Sequence, residues 1–302
     1  MAAAKTTVSL VLGSGGARGL AHIGIIGWLE DNGYEIRSIS GCSMGALIGG
    51  IYACGKLDTY TDWVRAVDEF DIVRLLDLSW SKAGLFDGEK IIRTLKELIG
   101  DRRIEELPIR FTAVAADISR EKEVWITQGS VFDAIRASIS LPLFFTPVMR
   151  DQETLLDGGI LNPVPIAPTF EDKTDLTIAV NLGGRPIEKP EPPRAPKKPR
   201  DEDGKDSFVD SLHDRVTDFI DDLTDSEPDE ADDWEMMKIA TATFDSMQST
   251  IARQKLAAYP PDHTIVIPRN ACGMLEFDRA DEMIELGRRA AAEQMPRSDQ
   301  RQ

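Results

Sequence analysis

Apolar and polar residues in the first third of the chain switch between two periods. Residues 7–12 form a short apolar run rich in β-branched residues, the pattern of a strand buried on both faces. Residues 20–32 place apolar positions at helical spacing and stop at Gly33, a C-cap. A second strand is predicted over residues 34–39, and small apolar residues over 44–54, halted by Gly55, predict a buried helix. This strand–turn–helix order, met twice, predicts parallel strands joined by right-handed crossovers.

Further along, residues 58–70 and 88–99 read as amphipathic helices, and 131–138 as a helix ended by Leu141-Pro142. The apolar run 72–80, with Leu85 and Phe86, is read as a core helix in preference to an apolar lip over a site. Residues 109–116 and 123–127 predict two strands joined by a polar turn, residues 155–160 cross an Asp-Gly-Gly turn, and residues 176–182 predict another buried strand. Composition then shifts. Residues 183–233 are rich in Pro, Lys, Asp and Glu, too poor in apolar surface to offset the entropy of ordering, and read as an acidic flexible insertion. Within it, Phe208, Leu212, Val216, Phe219, Ile220 and Leu223 keep helical spacing. A helix over 234–256, a strand over 264–267 and a helix over 280–292 follow, and the tail at 296–302 frays. The domain plan is a catalytic core over 1–182, the insertion, and residues 234–295 as the C-terminal part of the same domain.

Charge narrows the partners. The 302 residues carry 35 Lys and Arg against 52 Asp and Glu, a formal net charge of -17. Such a chain repels phosphate backbones, so nucleic acid is not expected as a partner. A lipid would have to be reached by apolar contact or a local basic patch. The three cysteines, Cys42, Cys54 and Cys272, show no metal-ligand or disulfide spacing. The apolar run near the N-terminus is too brief for a signal peptide, and no stretch approaches the roughly 18 apolar residues of a membrane span. The expected location is cytoplasmic, with transient peripheral contact at the inner face of the membrane as its variant.

Three segments carry candidate chemistry. Gly41-Cys42-Ser43-Met44-Gly45 stands between a strand and a small-residue helix, the setting of a nucleophile elbow. There the elbow glycines Gly41 and Gly45 would relieve a turn too tight for side chains, and Ser43 would lie at a helix N-terminus. A plain glycine turn with Ser43 as N-cap fits the pentapeptide alone equally well. Gly13-Ser14-Gly15-Gly16-Ala17-Arg18-Gly19 admits three readings. It lacks the Lys-Ser/Thr ending of a P-loop. A dinucleotide fingerprint would place its third glycine at Arg18, so that reading, a nucleotide- or cofactor-binding module, stands only in relaxed form. As an oxyanion hole, the backbone of Gly15, Gly16, Ala17 and Arg18 would face a tetrahedral intermediate, with the Arg18 charge in support.

A base is harder to find. His22 reads as a local packing residue, His213 falls in the insertion, and His263 heads a late strand and could formally complete a serine–acid–histidine order. Asp157, at a strand end before Gly158-Gly159, could serve instead, although Asp-Gly-Gly alone is a turn signal.

Together these segments resemble the patatin-like phospholipase family, in the bacterial branch related to the neuropathy-target-esterase catalytic domain. The resemblance rests on residues 13–24, residues 40–53 around the elbow, Ala137-Ser138-Ile139-Ser140-Leu141-Pro142, Phe145-Thr146-Pro147-Val148 and residues 157–165. It implies a three-layer α/β/α fold with a mainly parallel central sheet, and a Ser43–Asp157 dyad without histidine. It also implies an oxyanion hole lined by Gly15 and Gly16, lipid acyl esters as substrates, and no metal or cofactor. Ser14 stands where some members carry another glycine, and the acidic insertion lies outside the family pattern.

Overall fold

The computed structural model describes residues 5–67, 88–142, 144–150, 152–187 and 228–296, the first part of the last range (228–238) by backbone alone. The chain divides into two compact units, Met1–Pro186 with Met247–Gln302, and Ile187–Ser246. The first unit carries the sheet. The described part of the second is Ile187 and the beginning of one helix.

The chain opens β1 (Thr6–Leu12), α1 (Ala21–Asp31), β2 (Tyr34–Cys42), α2 (Met44–Ala53), as its periodicity predicts. A 3-10 turn, Gly16–Leu20, leads into α1. There follow α3 (Leu57–Arg65), α4 (Glu89–Ile99), β3 (Arg110–Asp117), β4 (Lys122–Ile126) and α5 (Val131–Ser138). The last elements are β5 (Val148–Arg150), β6 (Glu153–Asp157), β7 (Leu176–Gly184), α6 (Pro228–Ala258), β8 (His263–Pro268) and α7 (Ala280–Gln294). The apolar run 72–80 and the helical spacing around 208–223 lie outside the described residues.

Strands β3, β2, β1, β7 and β8 run parallel in that order, while β4 and β6 pair antiparallel with β3 and β5 pairs antiparallel with β6. Side-chain alternation along β1 divides the core. Val8, Leu10 and Leu12 face a large cluster with residues of α1, α2, α5 and α7. Val11 faces a smaller one with Val164, Ile166, Ala179 and Ala252 of α6. The sheet is thus covered on both faces, a three-layer α/β/α arrangement.

Two boundaries differ from the reading of composition. β7 continues to Gly184, and α6 starts at Pro228. Ladder hydrogen bonds to β8 carry the strand past its last apolar residues, with Gly184 pairing Pro268. β5, three residues long, is too short to leave a periodic signal.

Candidate active site

Ser43 joins β2 to α2 with φ 53° and ψ -125°, a conformation that L-residues avoid and that stores about 1–3 kcal/mol of strain. The surroundings impose it. Its N–H donates to Ser138 Oγ (2.9 Å), and its carbonyl accepts from Ala46 N (2.9 Å) and Leu47 N (3.0 Å) in the first turn of α2. A Cβ at Gly41 would press on the Gly45 carbonyl, and one at Gly45 on the Leu12 carbonyl. Both glycines are therefore sterically required, as the pentapeptide predicts.

Asp157 is placed by sheet topology. β2 pairs with β3 only as far as Cys42 opposite Val114, then turns away at Ser43. β4 occupies the other side of β3 from Ala113 to Asp117. β6 therefore takes over the side that β2 has left, and Asp157 pairs with Ala115, the next residue along. Strand β6 thus ends against the elbow, and a Cβ on Gly158 would lie 3.1 Å from Cys42 Cβ.

Asp157 is fully buried. Its Oδ1 accepts the Gly159 N–H (2.7 Å), while Oδ2, also buried, accepts no aligned hydrogen bond among the described residues. Burial raises its pKa to about 7, against the opposing pull of the Ser43 side chain and the Gly159 N–H. The Ser43 hydroxyl is thus close enough to stabilise the carboxylate, without a well-aligned bond to it. Looser geometry of this kind is common before substrate binds. Cys42, beside the apex, is buried: burial first, then the Asp157 charge, raises its thiol pKa, and Sγ donates to the Pro163 carbonyl (3.3 Å).

The glycine loop lies beside the elbow because β1 and β2 are adjacent, with Leu12 paired to Gly41. The start of the loop is tied down. Gly13 N donates to Val180 O (3.1 Å) and Ser14 N to Pro163 O (2.9 Å). His22 Nε2 bonds the Gly13 carbonyl (2.9 Å); burial pulls this imidazole down to about 4, so it is neutral at pH 7 and donates.

Of the four residues expected to line an oxyanion site, Ala17 has its N–H and Arg18 its side chain bonded elsewhere. Ala17 N donates to Met274 O (2.8 Å). The Arg18 guanidinium is buried, with Nε on Gly15 O (2.9 Å) and Nη1 on Arg269 O (2.8 Å). Among the described residues, the N–H groups of Gly15 and Gly16 donate to no protein acceptor. Gly15 O and Gly16 N–H belong to one planar peptide and point opposite ways. By holding the carbonyl, Arg18 aims the Gly16 N–H away from itself. Gly16 has φ +56°, and a Cβ there would crowd the Met274 backbone carbonyl (2.5 Å), so no other residue fits.

His263 lies on the far side of the sheet. It begins β8, which is separated from β2 by β1 and β7, and pairs with Ile178, two residues before the Val180–Ile265 level that matches Leu12 and Gly41. Ser138 and Pro163, which lie in segments that carry the resemblance, hold roles that the sequence alone does not assign. Ser138 acts as a bracket through its hydroxyl, donating to Val114 O (2.7 Å). Pro163 acts through its carbonyl, for which side-chain patterns hold no signal. No described helix is long and apolar enough to cross a membrane.

The Patatin-like phospholipase family model matches residues 10–170, more than half of the 302. An uncharacterized NTE family protein of Mycobacterium tuberculosis is 38% identical, over 95% of this chain and 90% of its own. Lysophospholipase nte1 of Emericella nidulans is 32% identical over 58% of this chain and 12% of its own. Neuropathy target esterase sws of Drosophila melanogaster is 31% identical over 59% of this chain and 13% of its own. Among solved structures, VipD from Legionella pneumophila superposes with a TM-score of 0.42 at 14% identity, covering 96% of this chain and 67% of that one.

Proposed function

From the finding that this chain belongs to the patatin-like phospholipase family, whose chemistry is lipid hydrolysis, we propose that it cleaves lipid acyl esters with Ser43 as nucleophile and Asp157 as general base. The observation that carries this reading is the hand-over on β3: where β2 leaves at the elbow, β6 brings in a buried carboxyl group facing the Ser43 side chain.

In this scheme Asp157 takes the Ser43 proton as Oγ attacks the ester carbonyl. The oxyanion is received by the N–H groups of Gly15 and Gly16, each such donor being worth roughly 2.7–4 kcal/mol in the transition state. The alcohol leaves with the proton, and water, activated by the same carboxylate, releases the fatty acid. The strained φ of Ser43 and the positive end of α2 serve the same purpose, holding Ser43 at a helix N-terminus, where negative charge is stabilised. A glycerophospholipid or lysophospholipid ester is the substrate class we favour. One relative is named a lysophospholipase, and the excess of acid over base (52 against 35) disfavours polyanions.

The reading is tested by reacting the full chain with a fluorophosphonate probe. Labelling is expected at Ser43, to vanish in Ser43→Ala, and ester hydrolysis is expected to be lost in Asp157→Asn. Hydrolysis of short-chain p-nitrophenyl esters by Ser43→Ala at the parent rate would make the assignment wrong.

A further inference from the structure

Helix α6 enters the first unit at Met247, well beyond residue 170 where the family match stops. Gln248, Ala252 and Lys255 recur at i, i+4 and i+7, so one stripe faces the sheet. Ala252 packs in the smaller core cluster. Of the two polar residues flanking it, Gln248 touches the glycine loop directly and Lys255 is linked to the Asp157 turn through Glu123.

Gln248 is buried, and its Nε2 donates to Ser14 Oγ (3.2 Å) in the glycine loop. The same amide and the same hydroxyl border Gly159, since a Cβ there would strike both. Two turns later, Lys255 Nζ meets Glu123 Oε1 (2.7 Å), and Glu123 Oε2 accepts from Asn162 Nδ2 (3.0 Å). Asn162 is buried and belongs to the Asp157 turn, its N–H bonded to Gly158 O (2.9 Å). Burial opposes the Glu123 charge, but the bonds from Lys255, Asn162 and Trp125 outweigh it and hold the carboxyl below its usual range.

We propose that Gln248 and Lys255 are positioning residues, which fix the oxyanion loop and the base turn to one rigid helix and so set the spacing on which turnover depends. The inference rests on the Ser43–Asp157 reading above. Its physical basis is that both loops are backbone turns beyond the ends of their strands, joined to each other in the backbone by the Ser14 N–H to Pro163 O bond. Side-chain bonds from one helix, direct at Gln248 and through Glu123 at Lys255, add a second restraint on that spacing. A displacement of about 1 Å at such a site can cost on the order of 100-fold in rate.

The experiment uses the full chain with Gln248→Met and Lys255→Met, which keep length and remove the polar head. Active sites are titrated with a fluorophosphonate before kcat and KM are measured on a p-nitrophenyl ester. Each variant is expected to lose about tenfold or more in kcat per titrated site with little change in KM, and Lys255→Arg to recover most of it. Ser14→Ala removes the same bond from the other end, so the Ser14→Ala/Gln248→Met double variant should be no worse than the poorer single. Arg253→Ala, exposed on the same helix, is expected to match the parent. Parent-like turnover per site in both Met variants, or additive losses in the double variant, would overturn the proposal. So would a loss confined to the number of titratable sites. If Ser43→Ala is inactive while the Met variants are unaffected, only the positioning role falls; if Ser43→Ala is active, the catalytic reading falls with it.

Discussion

Ser138 Oγ accepts the Ser43 N–H at 2.9 Å while its own proton goes to the Val114 carbonyl at 2.7 Å. One hydroxyl therefore joins the last turn of α5 to the elbow and to the strand that pairs with both β2 and β6. The Ser43 amide points outside its own helix, so a side chain must satisfy it.

Ser138→Ala would strand a buried N–H and deprive a buried carbonyl of its donor, at a cost of about 1–3 kcal/mol. Thermal denaturation should show a lower midpoint. Turnover should also fall, since the strained φ of Ser43 loses one of its restraints. A variant that melts and turns over like the parent would show that the first turn of α2 holds the elbow alone.

Under the proposed Ser43–Asp157 dyad, the pH dependence of catalysis follows from Asp157. Burial holds its pKa at about 7, and only the ionised form can accept the Ser43 proton. The expected kcat/KM profile rises with pH through a single ionisation near neutrality and levels off above it. A profile already flat from pH 5 upward would mean that the carboxyl is ionised well below the value its burial implies.

The same shift makes a prediction about stability. The folded-state value of about 7 lies above the ordinary 3.8, so between the two the folded chain keeps a proton that the unfolded chain has released. Its contribution to stability is fully present below the ordinary value and is lost as the pH rises through about 7. Asp157→Asn abolishes this titration and places an amide where the ionised carboxylate would be buried. The variant is expected to be inactive yet to melt above the parent at pH 8.5, by roughly 2–4 °C for each kcal/mol regained, with the gap closing toward pH 5. Equal midpoints at both pH values would contradict the burial account.

The elements that place Ser43 were legible because their signals are local. A buried strand, two glycines and a run of small residues each act within a few positions of one another. The position of Asp157 was legible as a turn, but its approach to Ser43 depends on β2 and β6 sharing one side of β3, a non-local pairing that periodicity does not encode. The glycine loop shows the same divide. Its sequence predicts exposed N–H groups, yet the Ala17 N–H goes to Met274 O and the Arg18 side chain to Arg269 O, each more than 250 positions away. Contacts of α6 were opaque for another reason. Gln248 and Lys255 look like ordinary polar positions on an amphipathic helix, and only the fold shows that they face the sheet.

The last prediction separates a dyad from a histidine-dependent triad. His263 follows Asp157 in the chain, the order that a serine–acid–histidine triad would need, so chain order alone leaves it a candidate. The sheet does not. Three strand spacings separate β8 from β2, about 14 Å, and His263 stands at the strand's opening while Ser43 stands past the closing end of β2. No rotamer spans that gap. His22, nearer in space, is neutral and bound to the Gly13 carbonyl. His263→Asn should therefore keep the parent's kcat, KM and fluorophosphonate labelling rate, and its pH profile should retain the same limb near neutrality. A loss of about 100-fold or more in kcat for this substitution, of the size expected when a general base is removed, would restore the triad and displace Asp157 as the base.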